Sequence, residues 1–176
     1  MRAMAAIDWS RFGRLLVLID AANIGKAVQH SGFKVRYRQL ARLFQRQSLL
    51  VGIRYYTADF ETSTHQGFLR SLQRFGYQII SKPVKVISTG KSQEVRKANF
   101  DVEMTVDAMD MLACYDTLVL FSGDSDFAYL IRYLRDKGKR VVVCSLRGNV
   151  ARELIQSADV YLDLYELGKN VIRKAT

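Results

Sequence analysis

The sequence predicts an α/β fold with three layers, in which helices cover both faces of a mainly parallel central sheet. Short apolar runs alternate with longer amphipathic stretches along the chain, which is typical of parallel strands joined by right-handed crossover helices. The chain has 176 residues, of which 49% are hydrophobic, and a single proline. It is therefore long enough to bury one core and too apolar to be disordered.

The first strand is predicted at residues 14–19, because every residue from Leu15 to Ile19 is apolar, as a strand buried on both faces requires. A short helix at 24–30 is expected to end at Gly32, a residue type that favours helix C-termini. The next elements are predicted, in order, as helix 35–47, strand 49–57, helix 61–75 and strand 77–81.

An irregular segment is predicted at residues 82–98, where five lysines and arginines accompany a single acid, Glu94. Loops of this length in a compact domain are usually functional or disordered, and the charge suits a phosphate backbone. A solvated insertion is the alternative, and it stays open. The candidate nucleic-acid contacts in this segment are Lys85, Lys91, Arg96 and Lys97.

The second half of the chain continues the alternation of strands and helices. We place one domain at residues 14–167, between an N-terminal tail at 1–13 and a loose basic C-terminal tail at 168–176. The elements of this half are predicted as helix 99–114, strand 117–121, helix 126–137, strand 140–146, helix 149–157 and strand 160–164.

Two of the predicted strands run directly into aspartates. Asp20 follows the first strand, and a Ser-Gly-Asp-Ser-Asp motif that contains Asp124 and Asp126 follows the strand at 117–121. Parallel strands bring their carboxyl ends to one edge of the sheet, where open α/β folds bind ligands. Clustered carboxylates repel one another, and protonation or a divalent cation relieves the repulsion. A simple helix-capping role for each aspartate is the alternative that stays open.

A third candidate acid, Asp101, lies on the predicted helix 99–114. At about 100° per residue, Asp101 shares the apolar face of this helix with Met104 and Ala108. A carboxylate on a core face is costly unless it is paired, hydrogen-bonded or bound to a metal, although an N-cap role would also accommodate it. Asp107 lies on the opposite, polar face and is expected to be solvated.

The candidate ligands are all oxygen donors, and neither cysteine has a partner at metal-binding spacing. Asn23 and Ser122 are expected to orient a strand-end carboxylate. Alternatively, Asn23 would hold a water bound to the metal. Hard oxygen ligands suit Mg²⁺ or Mn²⁺ rather than Zn²⁺. Either ion would support in-line attack of water on a phosphodiester.

The net charge of +10 favours a polyanionic partner such as nucleic acid. Arg38, Arg42 and Arg46 recur every four residues on one helix face, either as phosphate contacts or as a solvated surface. No apolar run approaches the roughly 20 residues that span a bilayer, and the first 12 residues lack the continuous apolar stretch of a signal peptide. We therefore expect a cytoplasmic protein without a membrane partner.

Four motifs, taken in order, resemble the NYN domain, a branch of the PIN-like nuclease superfamily, and more narrowly its LabA-like bacterial group. The resemblance covers roughly residues 13–167. The motifs are Leu-Ile-Asp20-Ala-Ala-Asn23, Tyr55-Tyr56, Lys97-x-x-x-Asp101-Val-x-Met-x-x-Asp107 and Ser122-Gly-Asp124-Ser-Asp126-Phe127.

The resemblance implies a PIN-like (Rossmann-like) sandwich and metal-dependent cleavage of RNA. By matching position it implies an acidic metal site, with Asn23 assisting and Asp107 as a secondary member. The members of the implied metal site, which would also be the catalytic residues, are Asp20, Asp101, Asp124 and Asp126.

Two functions are consistent with the sequence. The first is a ribonuclease that uses Mg²⁺ or Mn²⁺, with single-stranded RNA as the expected substrate and DNA as the second candidate. The second is a non-catalytic RNA- or DNA-binding regulator on the same fold. A haloacid-dehalogenase-like phosphatase is disfavoured because it needs a second aspartate where this chain has Ala22, and a receiver domain gains nothing from a basic surface. The sequence leaves the oligomeric state open, including a homodimer.

Overall fold

Six parallel strands form the central sheet of the protein. The computed structural model describes residues 7–47, 49–83, 85–88 and 94–174. The strands in these residues are β1 (Arg14–Asp20), β2 (Phe33–Val35), β3 (Leu49–Asp59), β4 (Tyr77–Pro83), β5 (Lys85–Ser88), β6 (Glu94–Lys97), β7 (Thr117–Phe121), β8 (Arg140–Ser145), β9 (Val160–Asp163) and β10 (Ile172–Lys174).

Helices connect the strands. None of those in the described ranges is both long and apolar enough to cross a membrane. The α-helices are α1 (Ala21–Ser31), α2 (Tyr37–Gln47), α3 (Ser63–Arg74), α4 (Asp101–Asp110), α5 (Ala128–Asp136) and α6 (Arg152–Ser157). Short 3-10 helices lie at Trp9–Phe12, Ser125–Phe127, Arg147–Asn149 and Leu164–Leu167.

The central sheet has the strand order β4–β3–β1–β7–β8–β9, and all of its pairings are parallel. From β1 the chain adds β3 and β4 on one side, then returns and adds β7, β8 and β9 on the other. β1 and β7 therefore flank the point at which the strand order reverses, where open α/β sheets bind their ligands. The predicted three-layer fold with a mainly parallel sheet is confirmed.

Alternate residues of β1 are buried in two separate cores. Leu15 and Ile19 pack with α1, α2 and α3 on one face of the sheet, which we call face A. Leu16 and Leu18 pack with α4, α5 and α6 on the other face, which we call face B. Because side chains alternate along a strand, Asp20 belongs to the series that points toward face B.

The segment predicted as irregular, residues 82–98, contains ordered strands, so that prediction is wrong. β4 continues to Pro83, and β5 pairs antiparallel with β6. The β-branched residues Val86, Ile87 and Val95 favour strands, whereas the prediction weighed only the charge of the segment. Residues 89–93, and Lys91 with them, lie outside the described residues.

The segment predicted as a loose C-terminal tail is attached to face A. β10 pairs antiparallel with β2, and Val171 and Ile172 are buried in the face A core. These two apolar residues interrupt a basic segment, and burying them favours an ordered strand. Near the other end of the chain, Trp9 is fully buried in the same core.

Candidate functional site

The ends of β1 and β7 meet at the reversal point of the sheet. Ile19 is the register partner of Phe121, so the residues that follow them, Asp20 and Ser122, lie side by side. The Ser122 hydroxyl donates a hydrogen bond to Asp20 Oδ2 at 3.2 Å, and it accepts one from the Asp124 N–H at 3.2 Å. The buried serine thereby connects the two strand-end carboxylates.

Three carboxylates converge next to this junction and form what we call the acid cluster. Asp101, Asp124 and Asp126 each offer an oxygen, and these oxygens all lie within 4.8 Å of one another. Asp101 and Asp124 are half-buried, whereas Asp126 is exposed, so the cluster is open to solvent on one side. Like charges at this separation repel one another, and a cation between them relieves the repulsion.

Asp20 adjoins the acid cluster but does not belong to the group of three. Burial raises the pKa of Asp20, while hydrogen bonds from Asn23 and Ser122 partly oppose the rise. The negative charges of Asp101 and Asp124 raise this pKa further, which places Asp20 within their electrostatic reach.

The pKa of Asp101 is also raised by its surroundings. Burial is the main cause that raises its pKa, a hydrogen bond with Asn99 opposes the rise, and the charges of Asp124 and Asp126 add to it. An acid whose pKa is raised by burial and by like charges is a candidate member of a functional site.

Local capping explains how two of these aspartates are held. Asp20 Oδ1 accepts a hydrogen bond from the Asn23 N–H at 3.0 Å and caps α1, and Asp124 Oδ1 accepts one from the Asp126 N–H at 3.2 Å. The capping alternative is therefore correct as geometry for Asp20 and Asp124. It does not hold for Asp101, which is the first residue of α4 after the N-cap Phe100.

Asn23 holds the two strand-end turns together. Its side-chain oxygen accepts a hydrogen bond from the Gly123 N–H at 2.8 Å, and its own backbone N–H donates one to Asp20 Oδ1. This oxygen is thus directed at the turn after β7, whereas the sequence suggested that Asn23 would orient a carboxylate or a water.

Gly123 is a site residue that the sequence analysis overlooked. A Cβ at this position would overlap the backbone carbonyl oxygen of Asn149 and lie 3.0 Å from the Ser145 hydroxyl. The Gly123 carbonyl also accepts a hydrogen bond from the Ala151 N–H at 2.9 Å. The signal in the sequence was a glycine between a strand end and an aspartate, where a backbone often approaches another closely.

Asp107 is not a freely solvated residue, so that expectation is wrong. Its carboxylate accepts a hydrogen bond of 2.6 Å from the Tyr56 hydroxyl and forms a 2.7 Å ion pair with Arg54. Both partners lie on β3. Asp107 therefore attaches α4 to the sheet and lies outside the acid cluster.

The candidate nucleic-acid contacts lie in two regions. Arg38 and Arg42 are exposed on α2, on face A. The backbone of Lys85 lies in β5 and that of Arg96 and Lys97 in β6, so the second region directly precedes Asp101 in the chain. Lys91 lies outside the described residues.

One lysine of the basic segment is already engaged by the protein. Lys82 forms an ion pair with Glu103 of α4, and its ammonium group lies 4.5 Å from the centre of the Phe100 ring. These contacts hold the start of α4, and with it Asp101, against the end of β4.

The donor set of the site fits a hard divalent cation. Asp101, Asp124 and Asp126 offer carboxylate oxygens at mutual distances that one ion can bridge, and the group contains neither histidine nor cysteine. Oxygen-only sites of this kind suit Mg²⁺ or Mn²⁺. Asp126 is exposed, so the cluster is accessible from solvent.

Comparisons with known proteins find relatives of this chain. The NYN domain family matches residues 14–166. The Low amplitude and bright protein LabA of Synechococcus elongatus is 32% identical over 161 residues, which cover 89% of this chain and 87% of LabA. An uncharacterized protein of Methanocaldococcus jannaschii, MJ0482, is 30% identical over 83 residues, which cover 46% of this chain and 35% of that protein.

A solved structure shares the fold. The crystal structure of VPA0982, a protein of unknown function from Vibrio parahaemolyticus, superposes with a TM-score of 0.78 at 21% sequence identity. The superposition covers 92% of this chain and 96% of that one. At 21% identity, this likeness shows that the two proteins share a fold and shows nothing further.

Proposed function

This chain belongs to the NYN domain family, and we propose that it is a Mg²⁺- or Mn²⁺-dependent ribonuclease that hydrolyses RNA phosphodiester bonds. The observation that supports this activity is the acid cluster, in which three carboxylate oxygens lie within 4.8 Å of one another at the reversal point of a parallel sheet. Three negative charges cost free energy there unless a cation compensates them, and the family is one of nuclease-type domains.

Each acidic residue has a distinct part in the proposed reaction. Asp101, Asp124 and Asp126 would hold the cation. When bound, the cation supplies positive charge for the phosphodiester undergoing in-line attack and acidifies the attacking water. Asp20, held by Ser122 and by the start of α1, adds a fourth negative charge beside the cluster and fixes the position of the Asp124 backbone through Ser122.

Positive residues close to the acid cluster would hold the RNA. β6 ends at Lys97, four positions before Asp101, so the basic segment directly precedes one member of the acid cluster in the chain. Exposed lysines and arginines bind phosphates without regard to sequence. We expect a single strand as the substrate, since an unpaired backbone is free to follow the surface from this segment to the carboxylates.

Cleavage of labelled single-stranded RNA, with Mn²⁺ or with EDTA, tests the proposal. We expect cleavage in Mn²⁺, none in EDTA, and a loss of at least about 100-fold in rate for Asp101→Asn, because that variant removes a candidate metal ligand. Asp110→Asn is the matched control, since Asp110 lies on the same helix and is exposed. It should cleave at the wild-type rate.

Equal cleavage by wild type and by Asp101→Asn, after repurification to exclude a contaminating nuclease, would count against the proposal. Tight, salt-sensitive RNA binding without any metal-dependent turnover would instead support the non-catalytic regulator on the same fold. A single-stranded DNA of the same sequence, tested in parallel, measures the preference for RNA over DNA.

A further inference from the structure

Two neighbouring clefts on face A are lined by positive side chains. One cleft of about 300 Å³ lies between α2 and the turn after the Leu164–Leu167 helix. The other, of about 400 Å³, lies between α2 and the end of α3. Arg42 lines both, so the clefts form one continuous strip, which we call the arginine surface. Its cations are Arg38, Arg42, Arg46, Arg74 and Lys169.

The charge of the arginine surface is not neutralised by the protein. Neither cleft is lined by a carboxylate, and the ion pairs found among the described residues involve none of its five cations. A third cleft, beside α5, shows the contrast. Arg132 and Arg135 line it together with Asp136 and Asp159, and Arg135 pairs with Asp159 at 2.9 Å.

The spacing of the arginines suits a repeating anion. Arg38, Arg42 and Arg46 recur every four residues on α2, so successive arginines are separated by about 6 Å along the helix axis. Arg38 also lies over the Phe75 ring at 5.8 Å from its centre, which limits where its guanidinium can point. Guanidinium groups bind phosphates through paired hydrogen bonds, and a row of them follows a phosphodiester backbone better than it fits one small anion.

The arginine surface lies on the face opposite the acid cluster. Leu40 and Phe44 of α2 are buried in the face A core, so the arginines project outward from that layer. Met104 of α4 and Phe127, next to Asp126, are buried in the face B core. A ligand on the arginine surface is therefore separated from the carboxylates by the thickness of the sheet.

We propose that the arginine surface is a second nucleic-acid site, which binds the phosphates of a strand outside the segment held at the acid cluster. This inference rests on the proposed function in one respect, namely that the polyanion is RNA. A strand that engages both sites must pass around the edge of the sheet, so the surface contributes to the binding of long RNA.

The salt dependence of RNA binding tests this inference without requiring cleavage. Binding of a labelled single strand of about 30 nucleotides, longer than the ~16 that one single-strand site covers, is measured in EDTA over a range of salt concentrations. The double variant Arg42→Gln/Arg46→Gln should reduce the slope of log K against log salt by about 1.4, or about 0.7 for each phosphate that the protein no longer neutralises.

The control variant Arg132→Gln/Lys137→Gln removes the same charge from exposed positions on and just after α5 and should retain the wild-type slope. An unchanged slope in the α2 variant, an equal reduction in both variants, or no binding of RNA by the wild type would overturn the inference.

The two proposals fail in distinguishable ways. A reduced slope in the α2 variant together with no Mn²⁺-dependent cleavage by the wild type would support the arginine surface and reject the nuclease. Cleavage by the wild type together with an unchanged slope in the α2 variant would support the nuclease and reject the arginine surface.

Discussion

At the residue scale, the site depends on a short turn in which almost every polar group has a partner. Ser122 contacts Asp20 and the Asp124 backbone, the Asn23 side chain accepts a hydrogen bond from the Gly123 N–H, and the Ala151 N–H donates one to the Gly123 carbonyl. Only a residue without a side chain fits between these contacts. The position of Asp124 is therefore set by this backbone packing together with the hydrogen bond that its own side chain accepts from the Asp126 N–H.

Gly123→Ala tests this packing. We expect the added methyl group to force the turn away from Asn149 and to lower the free energy of unfolding by about 1–3 kcal/mol, as overpacking generally does. Urea denaturation measures the change. Gly148→Ala is the matched control, because a Cβ at Gly148 meets nothing within 4 Å. Equal urea midpoints for the two variants would show that the turn accommodates a methyl group at Gly123.

The sequence predicted part of the acid cluster for a general physical reason. The carboxyl ends of parallel strands meet at one edge, so acids after two such strands, Asp20 and Asp124, were expected to lie close together. Helical periodicity correctly placed Asp101 on the same helical face as Met104 and Ala108. Periodicity assigns a residue to a face of its own helix, but it does not say what that face packs against, and so it failed for Asp107.

At the element scale, α4 is the part of the site that must be anchored, because it contributes Asp101 from outside the two strand ends. Its middle is attached to β3 through Asp107, with Tyr56 and Arg54 as partners. Its first turn is attached to the end of β4 through the Glu103–Lys82 ion pair. These polar contacts supplement the burial of Met104 in the face B core.

Tyr56→Phe should loosen α4. Loss of the hydroxyl leaves Asp107 without one donor, which we expect to cost about 1–2 kcal/mol of the free energy of unfolding, since hydrogen bonds to charged groups contribute about 1.5–3 and this carboxylate is partly solvated. Chemical denaturation measures the cost. Tyr129→Phe removes a hydroxyl from a side chain that is 73% exposed and should be neutral. If the two variants are equally stable, the contact does not anchor the helix.

The errors among the predicted elements share one cause. In residues 82–98 and again in the C-terminal segment, nearly all of the charged residues are lysines and arginines, and both predictions rest on that charge. The few apolar residues, such as Val86 and Ile172, decided the outcome by supporting short strands. The partners of these strands, β6 and β2, were themselves not predicted, so local pattern alone could not reveal the pairings.

At the scale of the whole molecule, the arginine surface and the acid cluster lie on opposite faces. The chain has a net charge of +10, and the unpaired cations of the arginine surface lie on face A, whereas Asp101, Asp124 and Asp126 converge beside face B. An adjacent cation neutralises a carboxylate, as Arg54 does for Asp107. Among the side chains that the structure describes, the ion pairs involve none of the three carboxylates of the acid cluster, and their negative charge should be measurable as a dependence of stability on pH and metal.

In EDTA, the contribution of Asp20 and Asp101 to the free energy of unfolding should decrease as the pH rises above the ordinary aspartate pKa of 3.8. Burial raises the pKa of Asp20 and Asp101 in the folded protein, so between the ordinary and the raised value the folded state holds more protons than the unfolded chain. This contribution to stability is complete below the ordinary pKa and is lost as the pH passes the raised one. Asp101→Asn should show a shallower decrease than wild type, and Asp110→Asn should show the wild-type profile.

Adding Mn²⁺ at neutral pH should stabilise the wild type by about 2.7 kcal/mol when the metal is present at 100 times its Kd, and it should stabilise Asp101→Asn far less. Urea denaturation at each pH, with and without Mn²⁺, measures both effects, and identical profiles for wild type and Asp101→Asn would mean that the carboxylates neither repel one another nor bind a cation.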